Sequence, residues 1–186
     1  TAAGLDRVYR LILQEPRDVP EPVLARLRAI PFVESARKGA IGSSQLPELI
    51  PAQLSARTGA DARAAIFLDE AQTYTQGSAD VIVAVLDTGV TLDHPEYRDA
   101  LLPGFDFVDI INGAGEFLGD YLGADEVPAD EAGHGTHVAG IIAGRGINMP
   151  MGVAPRCRIL PVRVLAAYAQ GESRVGAGLV ENINAG

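Results

Sequence analysis

The feature that most constrains this sequence is a short apolar run that stops at an acidic residue. Residues 81–86 (VIVAVL) are continuously apolar and rich in β-branched side chains. Such a run is typical of a parallel strand that is buried on both faces. It ends at Asp87, and open parallel sheets carry their functional groups just beyond the carboxyl ends of their strands. The pattern predicts an α/β domain with Asp87 at a functional edge of the sheet.

Other segments continue this alternation of strands and helices. A short helix is predicted at residues 68–74, a helix rich in small residues at 134–144, and a second strand at 158–165. A last helix, inside which the chain stops, is predicted from the apolar residues Leu179, Val180 and Ile183. We therefore expect a mostly parallel sheet flanked by helices.

The first 61 residues have a different character. An alternating segment at 8–13 predicts a strand, apolar residues at helical spacing from Val23 to Ile30 predict a helix ended by Pro31, and residues 32–36 predict a second strand. Glycine, serine and proline then become frequent, which indicates a linker. The predicted organisation is a small α+β segment at 1–41, a linker at 42–61 and the main domain at 62–186.

Composition excludes several classes of protein. The formal net charge of −9 argues against nucleic acid as a partner. No apolar run approaches the roughly 20 residues of a membrane-spanning helix, and no signal peptide is visible at the start. The single cysteine, Cys157, rules out an intrachain disulfide and is predicted to be a small buried residue at a strand entrance.

The tripeptide Asp87-Thr88-Gly89 has more than one interpretation. Aspartic proteases use it, but they need two copies or a dimer on an all-β scaffold, and this chain has one copy in an α/β context. An aspartate at a strand end can also simply form a turn. The motif does not distinguish these alternatives by itself.

A histidine at the start of the small-residue helix changes the balance. The helix lacks bulk at several positions, namely Gly135, Ala139, Gly140, Ala143 and Gly144. It can therefore approach neighbouring backbone closely and hold His134 rigidly. The positive end of the helix dipole disfavours the imidazolium form and favours a neutral base. A single histidine can also be a core or capping residue, but together with Asp87 a functional pair is predicted.

Five segments, in order along the chain, resemble the subtilisin-like serine protease family. They are VAVLDTGV (83–90), HP (94–95), GHGTHVAG (133–140), GVAP (152–155) and VRVL (162–165). The resemblance extends from about residue 62 to residue 186. It implies a subtilisin-like α/β domain, truncated in this chain, with Asp87 as the triad aspartate and His134 as the general base of an endopeptidase acting on polypeptides.

The resemblance also suggests a substrate-binding site, and it argues against a cofactor and against catalytic roles for the other two histidines. It implies no catalytic cofactor and no catalytic role for His94 or His137, and a zinc site at His134 and His137 lacks a third ligand at suitable spacing. The segment after residue 165 resembles the family's edge strand, which pairs with extended substrate. The implied substrate-binding residues are Leu165, Gln170, Gly171 and Glu172, although Leu165 also suits core packing.

The family's serine turn and its oxyanion-hole asparagine do not occur in this sequence. None of the six serines lies in a comparable context; they are Ser35, Ser43, Ser44, Ser55, Ser78 and Ser173. We therefore expect the chain alone to be inactive and to be completed by a C-terminal fragment or chain of the same protein. The alternative is a non-catalytic pseudoprotease that binds peptides or scaffolds a partner.

Three further expectations follow from the resemblance. Residues 1–41 weakly resemble the later half of a propeptide, with an unrelated N-terminal extension as the alternative, and this leans towards an exported rather than a cytoplasmic enzyme. A structural calcium ion would use Glu96 and the loop 145–151, but that loop offers one amide side chain to a cation that takes about 6–8 oxygens. Asp130 and Glu131, just before Gly133 and His134, have two interpretations, a position near the substrate cleft and a solvated acidic loop, of which the loop is favoured.

Overall fold

In a computed structural model, the chain is described at positions 9 and 11 and at residues 18–39, 41–45, 62–110, 117–170 and 173–179. The helices are α1 (Glu21–Arg28), α2 (Leu68–Tyr74) and α3 (His134–Ala143), with a 3-10 turn at Arg98–Ala100. The strands are β1 (Ile41–Gln45), β2 (Ile82–Asp87), β3 (Phe105–Asp106), β4 (Phe117–Leu118), β5 (Arg158–Arg163), β6 (Ala166–Gln170) and β7 (Ser173–Leu179).

A parallel sheet with the strand order β2-β5-β3 confirms the α/β class. β2 and β5 run in register, so that Asp87 at the end of β2 pairs with Arg163 at the end of β5. Helix α3 packs on this sheet, and its Ala139 and Ala143 share a buried apolar core with Val85 and Ile159. The predicted α2, α3, β2 and β5 are therefore all present, and they place both sequence motifs at one edge of the sheet.

The burial of β2 differs from the prediction. Val85 is buried against α3, but Ile82 and Leu86 point to the other face and are 57% and 43% exposed. Successive side chains of a strand alternate between faces, so α3 can cover only one of them. Within the described part of the chain, β2 is buried on one face and not on both.

A second, four-stranded sheet was not predicted. Its order is β1-β7-β6-β4, and its neighbouring strands pair in antiparallel fashion. Residues 173–179 form a strand. Of the three residues on which the last helix was predicted, only Leu179 lies among the described residues, and it belongs to this strand. Gly176 and Gly178 each lower helix propensity by about 1 kcal/mol, and the β6–β7 hairpin supplies backbone partners instead. Residues 42–45, expected within the linker, pair with β7 as part of β1.

The N-terminal region agrees with the prediction only in part. Helix α1 forms as expected and begins next to Pro22, which is well tolerated in the first turn of a helix. Residues 32–36 form turns and irregular backbone, so the predicted strand there is wrong; the Arg28 side chain bonds the carbonyl oxygen of Ala36, where a strand partner would bind. The strand predicted at 8–13 lies outside the described residues except for positions 9 and 11.

Two expectations from composition can be compared with the structure. Cys157 is buried immediately before β5, as predicted. Among the described residues, no helix has the length and apolar character required to cross a bilayer.

Candidate active site

The first functional side chain lies where β2 ends. The Asp87 carboxylate is 12% exposed, and its Oδ1 accepts a hydrogen bond from the backbone N–H of Thr88 at 2.7 Å. The carbonyl oxygen of Asp87 accepts the N–H groups of Val164 and Leu165, at 2.9 and 3.2 Å. Gly89 follows with a φ of +96°, a conformation that side-chain-bearing residues rarely adopt. Hydrogen bonds therefore fix both the side chain and the main-chain carbonyl group of Asp87 at the end of β2.

The second side chain, His134, is the first residue of α3. The next residue, Gly135, lies so close to the Asp87 turn that a Cβ atom there would be 2.0 Å from the carbonyl oxygen of Gly89. Its N–H donates to Thr88 Oγ1 at 3.0 Å. The absence of a side chain at position 135 is therefore what brings His134 within reach of Asp87, as the small residues of this helix predicted.

The imidazole and the carboxylate are in direct contact. His134 Nδ1 lies 2.7 Å from Asp87 Oδ1 and 2.8 Å from Oδ2. An ionised carboxylate only accepts hydrogen bonds, so the proton of a neutral ring belongs on Nδ1 and Nε2 carries the lone pair. Within the described part of the chain, the His134 ring forms its hydrogen bonds with Asp87, and the side chain is 23% exposed. The pair presents a base of defined tautomer to the surface.

A sequence model of the Subtilase family matches residues 78–186, which include this pair and more than half of the chain. The chain belongs to the Subtilase family. The matched region begins just before β2 and contains α3 and β5. The family resemblance inferred from the five segments is thus confirmed.

Several curated relatives are serine proteinases. The extracellular serine proteinase of Thermus sp. (strain Rt41A) is 34% identical over 181 residues, 95% of this chain and 38% of that protein. The thermophilic serine proteinase of Bacillus sp. (strain AK1) is 38% identical over 107 residues, 56% of this chain and 23% of that protein. The intracellular serine protease of Paenibacillus polymyxa is 40% identical over 93 residues, with 50% and 26% covered. This chain thus spans well under half the length of each.

Among solved structures, Sphericase aligns with 49% of this chain and 27% of its own, at 32% identity and a TM-score of 0.39.

Asp130, expected in a solvated acidic loop, lies next to the Asp87–His134 pair. Asp130 is half-buried and accepts the Thr88 hydroxyl at 2.8 Å. It also accepts the N–H groups of Ala132, Gly133 and Thr136 at 3.0, 2.8 and 2.9 Å. The signal was available, because aspartate favours hydrogen bonds to backbone N–H groups two or three residues ahead, especially before a helix.

A buried cation lies next to the same turn. Arg163, across the sheet from Asp87, pairs with the Asp106 carboxylate at 2.5 Å, and both side chains are almost completely buried. Its guanidinium also donates to the carbonyl oxygen of Asp120 and lies 3.5 Å from Glu131. Glu131 in turn accepts the Asp120 N–H at 2.9 Å, so it too is anchored rather than solvated. Arg163 thereby connects the sheet to the segment that leads into α3.

The other predicted site residues have different positions. Leu165 is half-buried beside Asp87, while Gln170 ends β6 and pairs with Ser173 of β7. The segment expected to be an edge strand is not an edge in the structure, because β6 lies between β7 and β4 and pairs with β4 at Ala167 and Tyr168. Gly171 and Glu172 lie outside the described residues, and a substrate role for the four residues stays a prediction.

The remaining two histidines lie apart from the Asp87–His134 contact. His94 stacks on Tyr97 with a centroid distance of 4.8 Å, and His137 is exposed on α3. Among the described residues, no cluster of three or more His, Cys, Asp or Glu side chains is arranged to hold a metal ion.

The residues considered for calcium do not fit a hard cation. Glu96 is 1% exposed, and its carboxylate accepts the N–H groups of Gly146, Ile147 and Asn148 at 2.8, 3.1 and 2.5 Å. Burial alone would raise the pKa of Glu96, but these hydrogen bonds outweigh burial and lower it. The loop turns backbone N–H groups towards the carboxylate, whereas calcium needs oxygen atoms. Glu96 itself therefore organises this loop.

Proposed function

We propose that this protein is a serine endopeptidase in which Asp87 and His134 supply two members of the catalytic triad. The contact of His134 Nδ1 with both oxygens of Asp87 carries the proposal. It has the geometry in which a carboxylate orients an imidazole for general base catalysis. Membership of the Subtilase family and the names of the relatives support the same activity.

The proposed mechanism divides the work between the two side chains. His134 Nε2 accepts the proton of a serine hydroxyl as its oxygen attacks a peptide carbonyl carbon. His134 then delivers that proton to the leaving amine nitrogen as the peptide bond breaks, which leaves the acyl group on the serine oxygen. A water molecule next attacks the acyl carbon as His134 accepts one of its protons, and His134 returns that proton to the serine oxygen as the ester bond breaks. Asp87 keeps the ring proton on Nδ1 and stabilises the imidazolium that forms in between. None of these steps requires a cofactor, and none is assigned to calcium.

We further propose that the nucleophilic serine and the oxyanion-hole asparagine come from a further segment or chain of the same protein. No serine of this chain lies in a subtilase-like nucleophile turn. The uncovered face of β2, with Ile82 and Leu86, offers apolar surface against which such a segment can pack. Alone, residues 1–186 are expected to hydrolyse no peptide.

A serine-directed fluorophosphonate probe on the full-length protein tests the activity. We expect stoichiometric labelling of wild type and no labelling of His134→Ala, because the serine is not activated without its base. His137→Ala, a change three residues further along α3 on an exposed side chain, is the matched control and is expected to label normally. If the full-length protein does not label but still binds peptides, the pseudoprotease alternative is correct and the endopeptidase proposal fails.

Two further proposals concern the whole protein. Residues 1–41 are proposed to restrain the active site as a retained propeptide; the alignment with the Thermus enzyme spans 95% of this chain and so extends into this region. A variant that lacks residues 1–41 should be labelled by the probe, and addition of residues 1–41 as a separate peptide should inhibit that labelling.

Export from the cytoplasm is also proposed. The Thermus relative is named extracellular and the Paenibacillus relative intracellular. Cell fractionation with an antibody would test it.

A further inference from the structure

The short segment before α3 contains a carboxylate with an unusual number of donors. Asp130 Oδ1 accepts three hydrogen bonds, from the Thr88 hydroxyl and from the N–H groups of Ala132 and Gly133, while Oδ2 accepts the N–H of Thr136. Three of these donors belong to the first turn of α3 and its approach, and the fourth belongs to the turn after β2. One side chain therefore joins the two elements that carry the functional pair.

The same set of hydrogen bonds includes the backbone N–H groups of the residues on both sides of His134. The N–H of Gly133 donates to Asp130, and the N–H of Gly135 donates to Thr88 Oγ1 at 3.0 Å. Thr88 is covalently adjacent to Asp87, and its own N–H is bonded to Asp87 Oδ1. The Thr88 hydroxyl thus donates to Asp130 and accepts from Gly135, which fixes its orientation. The main chain around His134 is tied to the main chain around Asp87.

We infer that Asp130 is a positioning residue that holds His134 at hydrogen-bonding distance from Asp87. This inference rests on the proposed function and extends it. Asp130 donates no proton and acts only through Thr88 and the first turn of α3. Loss of its carboxylate leaves four donors without their acceptor, and α3 can then shift relative to the end of β2. A misplacement of about 1 Å in a catalytic group can reduce the rate by about 10²-fold.

The test compares Asp130→Ala and Asp130→Asn in the full-length protein, with kcat expressed per active site titrated by the fluorophosphonate probe. Asp130→Ala should lower kcat by ~10- to 100-fold and change KM by less than about twofold. Asp130→Asn keeps an oxygen for the three donors at Oδ1 and loses only the Thr136 bond, so it should recover most of the rate. Glu126→Ala, which removes an exposed charge from the same segment, should match wild type.

Two outcomes would overturn the inference. The first is an Asp130→Ala protein with fewer titratable sites but wild-type kcat per site, which would mean that Asp130 serves folding alone. The second is a further large loss of residual rate, here expressed per mole of folded protein because His134→Ala does not label, when Asp130→Ala is added to His134→Ala; a residue that acts through His134 should have little left to affect.

A readout independent of activity separates this inference from the proposed function. The hydrogen-bonded Nδ1 proton of His134 should give a low-field NMR resonance in wild type, and it should weaken or shift in Asp130→Ala and be restored in Asp130→Asn. An unchanged resonance in Asp130→Ala refutes the positioning role. Absence of probe labelling in wild type refutes the endopeptidase instead, and the NMR comparison still decides the role of Asp130.

Discussion

Replacement of Gly135 by alanine tests whether close approach of α3 to the Asp87 turn sets the geometry of the pair. The new Cβ would lie 2.0 Å from the carbonyl oxygen of Gly89 and 3.1 Å from Asp87 Cβ, whereas real Cβ contacts below 3.0 Å essentially never occur. The oxygen belongs to backbone that cannot rotate away. The start of α3 and the Gly89 turn must therefore separate by at least 1.0 Å, the difference between 3.0 and 2.0 Å.

This displacement is large on the scale of the functional contact. If it adds fully to the 2.7 Å between His134 Nδ1 and Asp87 Oδ1, the separation becomes about 3.7 Å, outside hydrogen-bonding range. We expect Gly135→Ala to lower kcat by ~10²-fold, which corresponds to about 2.7 kcal/mol in the barrier. Overpacking should also lower the free energy of unfolding by about 1–3 kcal/mol.

Gly140→Ala on the same helix provides the matched control. A Cβ there would meet the flexible end of Met149, with Cε at 3.2 Å and Sδ at 3.4 Å, so the side chain can move aside. Its kcat should equal that of wild type, and its free energy of unfolding should rise by up to about 1 kcal/mol, since alanine favours helix over glycine. The measurements are kcat per titrated site on the full-length protein and urea unfolding of each variant. A Gly135→Ala enzyme with kcat within threefold of wild type would refute the close-approach explanation.

Three other perturbations have defined outcomes. Asp87→Asn should lower kcat by ~10⁴-fold with little change in KM, because a carboxamide N–H directed at Nδ1 favours the wrong ring tautomer; steady-state kinetics would show it. Glu96→Gln should lower the melting temperature at pH 7. Because the pKa of Glu96 is lowered, its ionised carboxylate stabilises the fold above the ordinary value of 4.5, and this stabilisation is lost as the pH falls below that value. The melting temperatures of wild type and Glu96→Gln should therefore converge in acid. A calcium chelator should change neither melting temperature. Arg163→Met should cost about 3–5 kcal/mol in urea unfolding, because it leaves the buried Asp106 carboxylate unpaired; a cost below 1 kcal/mol would contradict the structure.

Much of the site could be predicted from the sequence because its information is local. The apolar run of β2 ending at Asp87, and the small residues that follow His134, indicate a strand end and a closely packed helix without knowledge of any distant contact. Helix α3 lies in sequence between the parallel strands β2 and β5, and its first residue, His134, lies at the edge of the sheet where β2 ends, which explains why the position of the pair was predictable.

The errors occurred where pairing partners decide the structure. The spacing of Leu179, Val180 and Ile183 predicts a helix, but β6 and β1 offer backbone hydrogen bonds on both sides of residues 173–179, so Leu179 belongs to a strand. Strand formation depends on neighbours that are distant in sequence, whereas helix hydrogen bonds are internal to the segment. For the same reason, residues 42–45 looked like a linker until their partner β7 was known.

The sequence by itself determined the α/β class, the family, and the identity of the aspartate and the histidine that meet, since each depends on a short motif. Only the tertiary structure decided how they are held, because the Thr88 hydroxyl that bonds Asp130 and the Asp120 N–H that bonds Glu131 come from other segments of the fold. Glu96 likewise looks like a cation ligand until the N–H groups of a distant loop are found around it. A carboxylate takes its role from the groups that face it, and those groups are brought together only by folding.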